Sequence, residues 1–146
     1  MDAPRLVFDT NVLLDLWLFD DPTAQPLRLA LEGGLVQALR SASCDAEFAE
    51  VLARDRFGLD ASGRERLLAR WMACSEPIDG VLPAPLVCAD PDDQKFLDAA
   101  FSARATALLT RDKALLQLAS RAAVAGLAIC TPAAALGRGE LSGLVA

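Results

Sequence analysis

The chemistry this sequence offers lies in acidic side chains that follow apolar runs. Asp9 comes directly after Leu6-Val7-Phe8, Asp93 falls in the first turn of a predicted helix after Cys88, and Asp112 follows a predicted strand ending at Thr110. In an open parallel sheet such positions face one crevice at the carboxyl edge of the strands, where ligands bind. Glu47 is a fourth candidate, bordering the side of a helix marked as buried by Phe48, Val51 and Leu52. Glu50 points more nearly outward at about 3.6 residues per turn. Carboxylates crowded together repel and raise one another's pKa unless cations neutralise them. Oxygen-only ligands select hard ions such as Mg²⁺ or Mn²⁺. Such ions can acidify an attacking water and stabilise the leaving oxygen of a phosphodiester. That chemistry needs no histidine, and the chain has none, which excludes histidine-based triads and the commonest general base.

Each acid also has a purely structural reading. Asp90, Asp92 and Asp93 suit a helix N-cap and first turn, where the helix dipole favours negative charge. Asp112 can cap a helix beginning at Lys113, and Glu50 with Arg54 forms an i,i+4 pair of the kind found on solvated surfaces. Asp9 can cap the helix that follows it, yet an acid between a buried strand and Asn11 is an unusual place for a merely structural carboxylate. The four cysteines, Cys44, Cys74, Cys88 and Cys130, form no CxxC pair and sit among apolar or small neighbours. They read as buried free thiols, pointing to neither zinc nor a disulfide framework.

The elements that must position these acids follow from hydrophobic periodicity and turn signals. With 146 residues, 53% of them hydrophobic, the chain can bury one good core, so a single domain over 1–146 is expected. Strands are predicted at Leu6–Phe8, weakly over Leu35–Ala42, at Leu86–Cys88, at Thr106–Thr110 and at Leu127–Cys130. Helices are predicted over Val12–Phe19, Pro26–Glu32, from an N-cap at Ser43 to about Arg54, over Asp60–Ala73, from Asp90-Pro91 onward, and over Asp112–Arg121. In the Asp60–Ala73 helix, Leu67, Leu68, Trp71 and Met72 are expected on the inner side. In the Asp90-Pro91 helix, Asp93 shares the inward stripe of Phe96 and Ala100, whereas Gln94, Lys95 and Asp98 do not. Alternating strands and helices imply an α/β fold with a central parallel sheet flanked by helices on both faces. The N-terminus lacks the basic start and apolar stretch of a signal peptide and no run reaches membrane-spanning length, so a cytoplasmic location with no membrane partner is expected.

Val7-Phe8-Asp9-Thr10-Asn11-Val12-Leu13 resembles the opening signature of PIN domains, the fold of many toxin–antitoxin ribonucleases. Glu47-Phe48-Ala49-Glu50-Val51-Leu52-Ala53-Arg54 resembles the family's acidic helix, Asp90-Pro91-Asp92-Asp93-Gln94-Lys95-Phe96 its third acidic segment, and Leu109-Thr110-Arg111-Asp112-Lys113-Ala114-Leu115 its fourth. The resemblance spans roughly residues 5 to 132, with a short tail beyond, and is closest to the branch of toxin components with a DPDD-type segment. Matched position by position, it implies metal-binding and catalytic roles for Asp9, Glu47, Asp93 and Asp112, and supporting polar roles for Thr10, Asn11 and Thr110. It further implies Mg²⁺- or Mn²⁺-dependent cleavage of single-stranded or looped RNA to 5′-phosphate and 3′-hydroxyl ends, and a protein antitoxin as partner. Two departures concern substrate fit rather than ligands: Arg111 stands where this branch often has glycine, and Phe48 replaces a more usual leucine.

Substrate contact is less legible. Arg54, Arg56, Arg64, Arg66 and Arg70 enrich one region in guanidinium groups, and Arg111 and Lys113 flank Asp112, so Arg54, Arg111 and Lys113 are candidate RNA contacts. The same arginines can instead form a solvated face paired with Asp55, Asp60 and Glu65. Trp17 and Trp71 read as core or interface residues. The segment Trp17-Leu18-Phe19 either packs into the core or serves an antitoxin or a homodimer. A net charge of −6 argues against a nonspecific nucleic-acid coat protein. Two other readings stand beside the ribonuclease: a catalytically inactive PIN-like module that binds a partner, and a phosphatase of the haloacid-dehalogenase type. The latter wants a second aspartate two residues after the first, where this chain has Asn11.

Overall fold

The computed structural model describes residues 3–138. The apolar run after Arg5 becomes strand β1 (Arg5–Phe8), whose Leu6, Val7 and Phe8 are all buried, as befits a strand covered on both faces. Strands β2 (Gln37–Arg40), β3 (Ser75–Pro77), β4 (Ala107–Leu109) and β5 (Ala128–Cys130) join it in a five-stranded sheet of order β3-β2-β1-β4-β5. Every pairing is parallel. The chain runs outward from β1 through β2 to β3, then returns to lay β4 and β5 on the other side of β1. The order therefore reverses between β1 and β4, where the loops diverge and leave a crevice. Phe8 pairs with Leu109, so Asp9 and Thr110 leave the sheet side by side.

Successive strand residues face opposite sides, and two cores result. Leu6, Phe8, Ala38, Ala107 and Leu109 pack against residues of α1 (Thr10–Trp17), α2 (Gln25–Glu32), α3 (Ala42–Leu52), α4 (Ala61–Ala73) and α8 (Pro132–Arg138). Val7, Leu39, Leu108 and Ile129 pack against α5 (Gln94–Ser102), α6 (Lys113–Leu116) and α7 (Ala119–Val124). The first core is aromatic: Trp71 meets Phe8 edge-on at 5.8 Å between centroids and Trp17 at 6.2 Å. Such pairs add about 0.5–1.5 kcal/mol each beyond their burial. Both tryptophans are thus core residues. The second core is rich in small side chains, with Ala99, Ala100, Ala103 and Ala122 bringing α5 and α7 close to the sheet.

Several expected elements are shifted, and each shift has a local cause. Helix α1 begins at Thr10 rather than Val12 because Asp9 caps it, and it ends at Trp17. The cap of α3 is Ser41, not Ser43, its hydroxyl accepting from the Cys44 amide at 3.2 Å. The segment 86–88 is no strand: Gln94 holds it by side-chain bonds to the Cys88 amide at 2.7 Å and the Leu86 carbonyl at 3.0 Å. The outer strand is instead β3, whose Pro77 is tolerated because it lies at the sheet's edge. The weak strand over 35–42 is confined to Gln37–Arg40. Asp90-Pro91 opens a 3-10 turn, Pro91–Asp93, before α5 begins. The helix expected over Asp112–Arg121 is broken into α6 and α7. On α4, Leu67 and Trp71 face inward, Leu68 is half-buried, and Met72 is 50% exposed. Part of the expected tail is helix α8, with Ala135 buried, and residues 139–146 lie outside those described. Cys44, Cys88 and Cys130 are buried and Cys74 is half-buried; burial pushes the Cys44, Cys74 and Cys88 thiols up.

Candidate active site

Asp9 leaves β1 at the point of reversal and is only 3% exposed. Its Oδ1 accepts from the Val12 amide at 2.9 Å, capping α1, and its Oδ2 accepts from the Thr110 hydroxyl. Capping and site roles are therefore compatible, since one oxygen orders the helix while the other faces β4. Burial raises the Asp9 pKa, opposed by the bonds from Thr110 and Val12 and by the charge of Arg111, with Asp112 raising it again. Thr110 is fully buried and works in both directions, donating to Asp9 and accepting from the Asp112 amide at 2.9 Å. Asp112 in turn caps α6, its Oδ1 accepting from the Ala114 amide at 2.8 Å.

The other two acids come from helical segments. Glu47, on the partly buried flank of α3, accepts from the Thr10 hydroxyl at Oε2 and from Lys95 Nζ at Oε1, the latter at 2.9 Å. Asp93 closes the 3-10 turn before α5, and Asp90, just ahead of that turn, caps it by accepting from the Asp92 amide. Asp93 Oδ2 is buried and has no hydrogen-bond partner. Its pKa is pushed up to about 7 by burial, then by the charges of Asp112 and Asp90, by a side-chain hydrogen bond with Asp112 that favours the protonated acid, and by the charge of Asp9.

All four acids line one crevice of about 180 Å³, together with Thr10 and Asn11. Arg54 and Arg56 complete its rim. Of the other predicted basic contacts, Arg111 turns to α1 and pairs with Asp15 at 3.0 Å, and Lys113 is exposed away from the crevice lining. The backbone at Arg111 is not left-handed, so no glycine is required there. Among the described residues, Glu50 and Arg54 form no ion pair. None of the arginines from Arg54 to Arg70 pairs with Asp55, Asp60 or Glu65: Arg64 donates to the Leu59 carbonyl, Arg66 to Ser62, and Arg70 lies 3.6 Å from Glu32.

Lys95 is the site residue that the periodicity argument misses, whereas Arg56, one of the guanidinium groups of the arginine-rich region, joins Arg54 at the crevice. Counting helical turns from Asp93 sets Lys95 outside the inward stripe, but Asp93 belongs to a tighter turn with about three residues per turn. The Lys95 ammonium consequently reaches Glu47 and the Asp92 carbonyl. A cation placed two residues after an acidic pair was the available signal.

Among the described residues, no three acidic or sulfur ligands already stand close enough to cage an ion. The donor set nevertheless suits a hard divalent cation: every ligand atom is oxygen, the cluster holds an unpartnered buried oxygen on Asp93, and crowding raises that group's pKa. A family model described as PIN domain matches residues 5–114. No curated protein matches the chain.

Proposed function

The chain belongs to the PIN-domain family, whose members are generally nucleases that use divalent metal ions, and on that premise we propose that it is a metal-dependent ribonuclease, the toxin of a toxin–antitoxin pair. Convergence of Asp9, Glu47, Asp93 and Asp112 on one crevice at the sheet's point of reversal carries this reading. These four would hold Mg²⁺ or Mn²⁺, which supplies a water acidified for attack and a positive charge for the leaving oxygen. Thr110 fixes the Asp9 carboxylate between strand and helix, while Thr10 and Lys95 hold Glu47 at the opposite wall. Arg54 and Arg56 on the rim provide guanidinium groups for the phosphates of an RNA strand. A protein antitoxin would act by covering this crevice. Family membership sets the phosphatase reading aside.

The pairing of Glu47 with Lys95 favours one rival, the partner-binding module, because one proposed ligand is already neutralised. Cleavage of a mixed single-stranded RNA with Mn²⁺ or Mg²⁺, with and without EDTA, separates the two. The control is the double variant Asp9→Asn/Asp93→Asn, matched for foldedness by circular dichroism. Metal-dependent cleavage lost in the control is the expected result. No cleavage by folded, metal-loaded, partner-free protein would leave the binding module as the better reading.

A further inference from the structure

The crevice is smaller than the roughly 300–1,000 Å³ of sites that enclose a whole small ligand, at about 180 Å³. It has room for a phosphodiester, so the bases of a bound strand must rest outside it. Leading outward from its rim the structure presents a run of surfaces suited to them. Arg54 and Arg56 line the crevice, the Arg56 guanidinium stacks over the Phe57 ring at 4.8 Å, and Phe57 meets Phe19 at 5.9 Å between centroids. Phe19 is 55% exposed, whereas Trp17 two residues earlier is buried.

Phe19 is also held in place. Its amide donates to the Leu14 carbonyl at 2.8 Å, and the chain reverses immediately after it through Asp20, whose φ of 54° is left-handed. Asp20 is tied to Arg28 of α2 by an ion pair, so the ring projects from a fixed turn and little order is lost on binding. Neither Arg54 nor Arg56 has an ion-pair partner among the described residues. In a chain of net charge −6, two guanidinium groups without ion-pair partners, beside the exposed Phe19 ring and the half-buried Phe57 ring, match alternating phosphates and bases. A protein partner would call for a broader apolar patch than two rings, on the order of a few hundred Å².

We propose that Phe19, Phe57 and Arg56 form a base-stacking platform for single-stranded nucleic acid at the mouth of the acidic crevice, with Arg54 meeting the phosphate between the stacked base and the carboxylates. The path of the strand rests on the nuclease reading; the stacking itself does not.

The test is binding of a short fluorescein-labelled single-stranded RNA, read by anisotropy in EDTA so that nothing is cut, beside the same sequence as a duplex. Phe19→Ala and Phe19→Leu should each weaken single-strand binding about tenfold. Phe19→Trp should restore it, and duplex binding should not respond. Phe19→Leu keeps apolar contact with Phe57, so a loss there reports the missing aromatic face rather than a disturbed fold. Arg56→Gln should lower the slope of log affinity against log salt by about 0.7, while the Phe19 variants leave it unchanged. Unchanged single-strand affinity in both Phe19→Ala and Phe19→Leu, or no measurable binding by the parent protein, overturns the platform. So does a change in oligomeric state on Phe19→Ala with RNA affinity intact, which would mark a protein interface. A protein that cleaves RNA with Mn²⁺ but binds it independently of Phe19 loses the platform and keeps the nuclease. One that binds through Phe19 and never cleaves does the reverse.

Discussion

The two walls of the crevice hold their acids by different means. On the β1–β4 wall, Asp9 and Asp112 cap helices, and Thr110 links them through its single hydroxyl. Backbone amides and a hydroxyl stabilise these carboxylates, so no cationic side chain need contact them. On the helical wall, Glu47 depends on two side chains, Lys95 and Thr10, and on no backbone amide. Asp93 lies between the walls with neither support: one oxygen is buried and unpartnered, and three neighbouring acids press on it. The strand-end wall is thus organised before any ion arrives, and the helical wall is the part an ion would reorganise.

The sharpest way to break this contrast is at its rigid side. Asp9→Asn keeps a side-chain cap for α1 but removes a charge from the cluster. RNA cleavage should fall by more than about a hundredfold, beyond what groups that merely orient a ligand contribute, with the circular dichroism spectrum unchanged. Thr110→Val tests whether orientation by a buried hydroxyl matters. It leaves the Asp112 amide and Asp9 Oδ2 short of a partner, so activity or metal affinity should drop about 10- to 100-fold, with a stability loss of about 1–3 kcal/mol in urea melts. If Thr110→Val behaves like the parent, the strand-end wall is not organised as described.

On the helical wall the effects should be smaller. Lys95→Gln frees Glu47 and makes the crevice more negative. Mn²⁺ affinity by isothermal titration should rise several-fold, while stability changes by no more than about 1 kcal/mol, since the pair is partly solvated. Weaker ion binding in this variant would show that Lys95 holds Glu47 in its binding position instead of competing for it.

The mildest probe is pH. The folded-state pKa of Asp93, about 7, lies above its ordinary value of 3.8, so folding favours the protonated acid. In the metal-free protein the stability that Asp93 contributes should be full below its ordinary value of 3.8, fall as pH rises through about 7, and level off above that. Melting temperatures in EDTA should trace this slope, and saturating Mn²⁺ should flatten it. A slope unchanged in Asp93→Asn would assign it to another group.

The legible parts of the molecule were those governed by local rules. Leu6-Val7-Phe8 ahead of Asp9, and Thr110 ahead of Asp112, mark strand ends by pattern alone, and alternation of strands with helices places those ends on one edge of a parallel sheet. Glu47 was separable from Glu50 because both lie on a regular helix, where angular position follows from sequence spacing. Lys95 was not, because the phase of α5 is reset by the 3-10 turn that contains Asp93. The apolar run at 86–88 failed as a strand for a related reason. Its polar backbone groups are taken by the side chain of Gln94, a contact no propensity reports.

By itself, then, the sequence determined most of the elements and which acids stand at their ends, since hydrophobic period and capping chemistry act over a few residues. Tertiary structure alone decided that Lys95 neutralises Glu47, that one buried oxygen of Asp93 is left without a hydrogen-bond partner, and that Phe19 emerges against Phe57 while Trp17 turns into the core. Those outcomes depend on side chains distant in sequence competing for the same space and charge, and that competition is resolved only once the walls have closed.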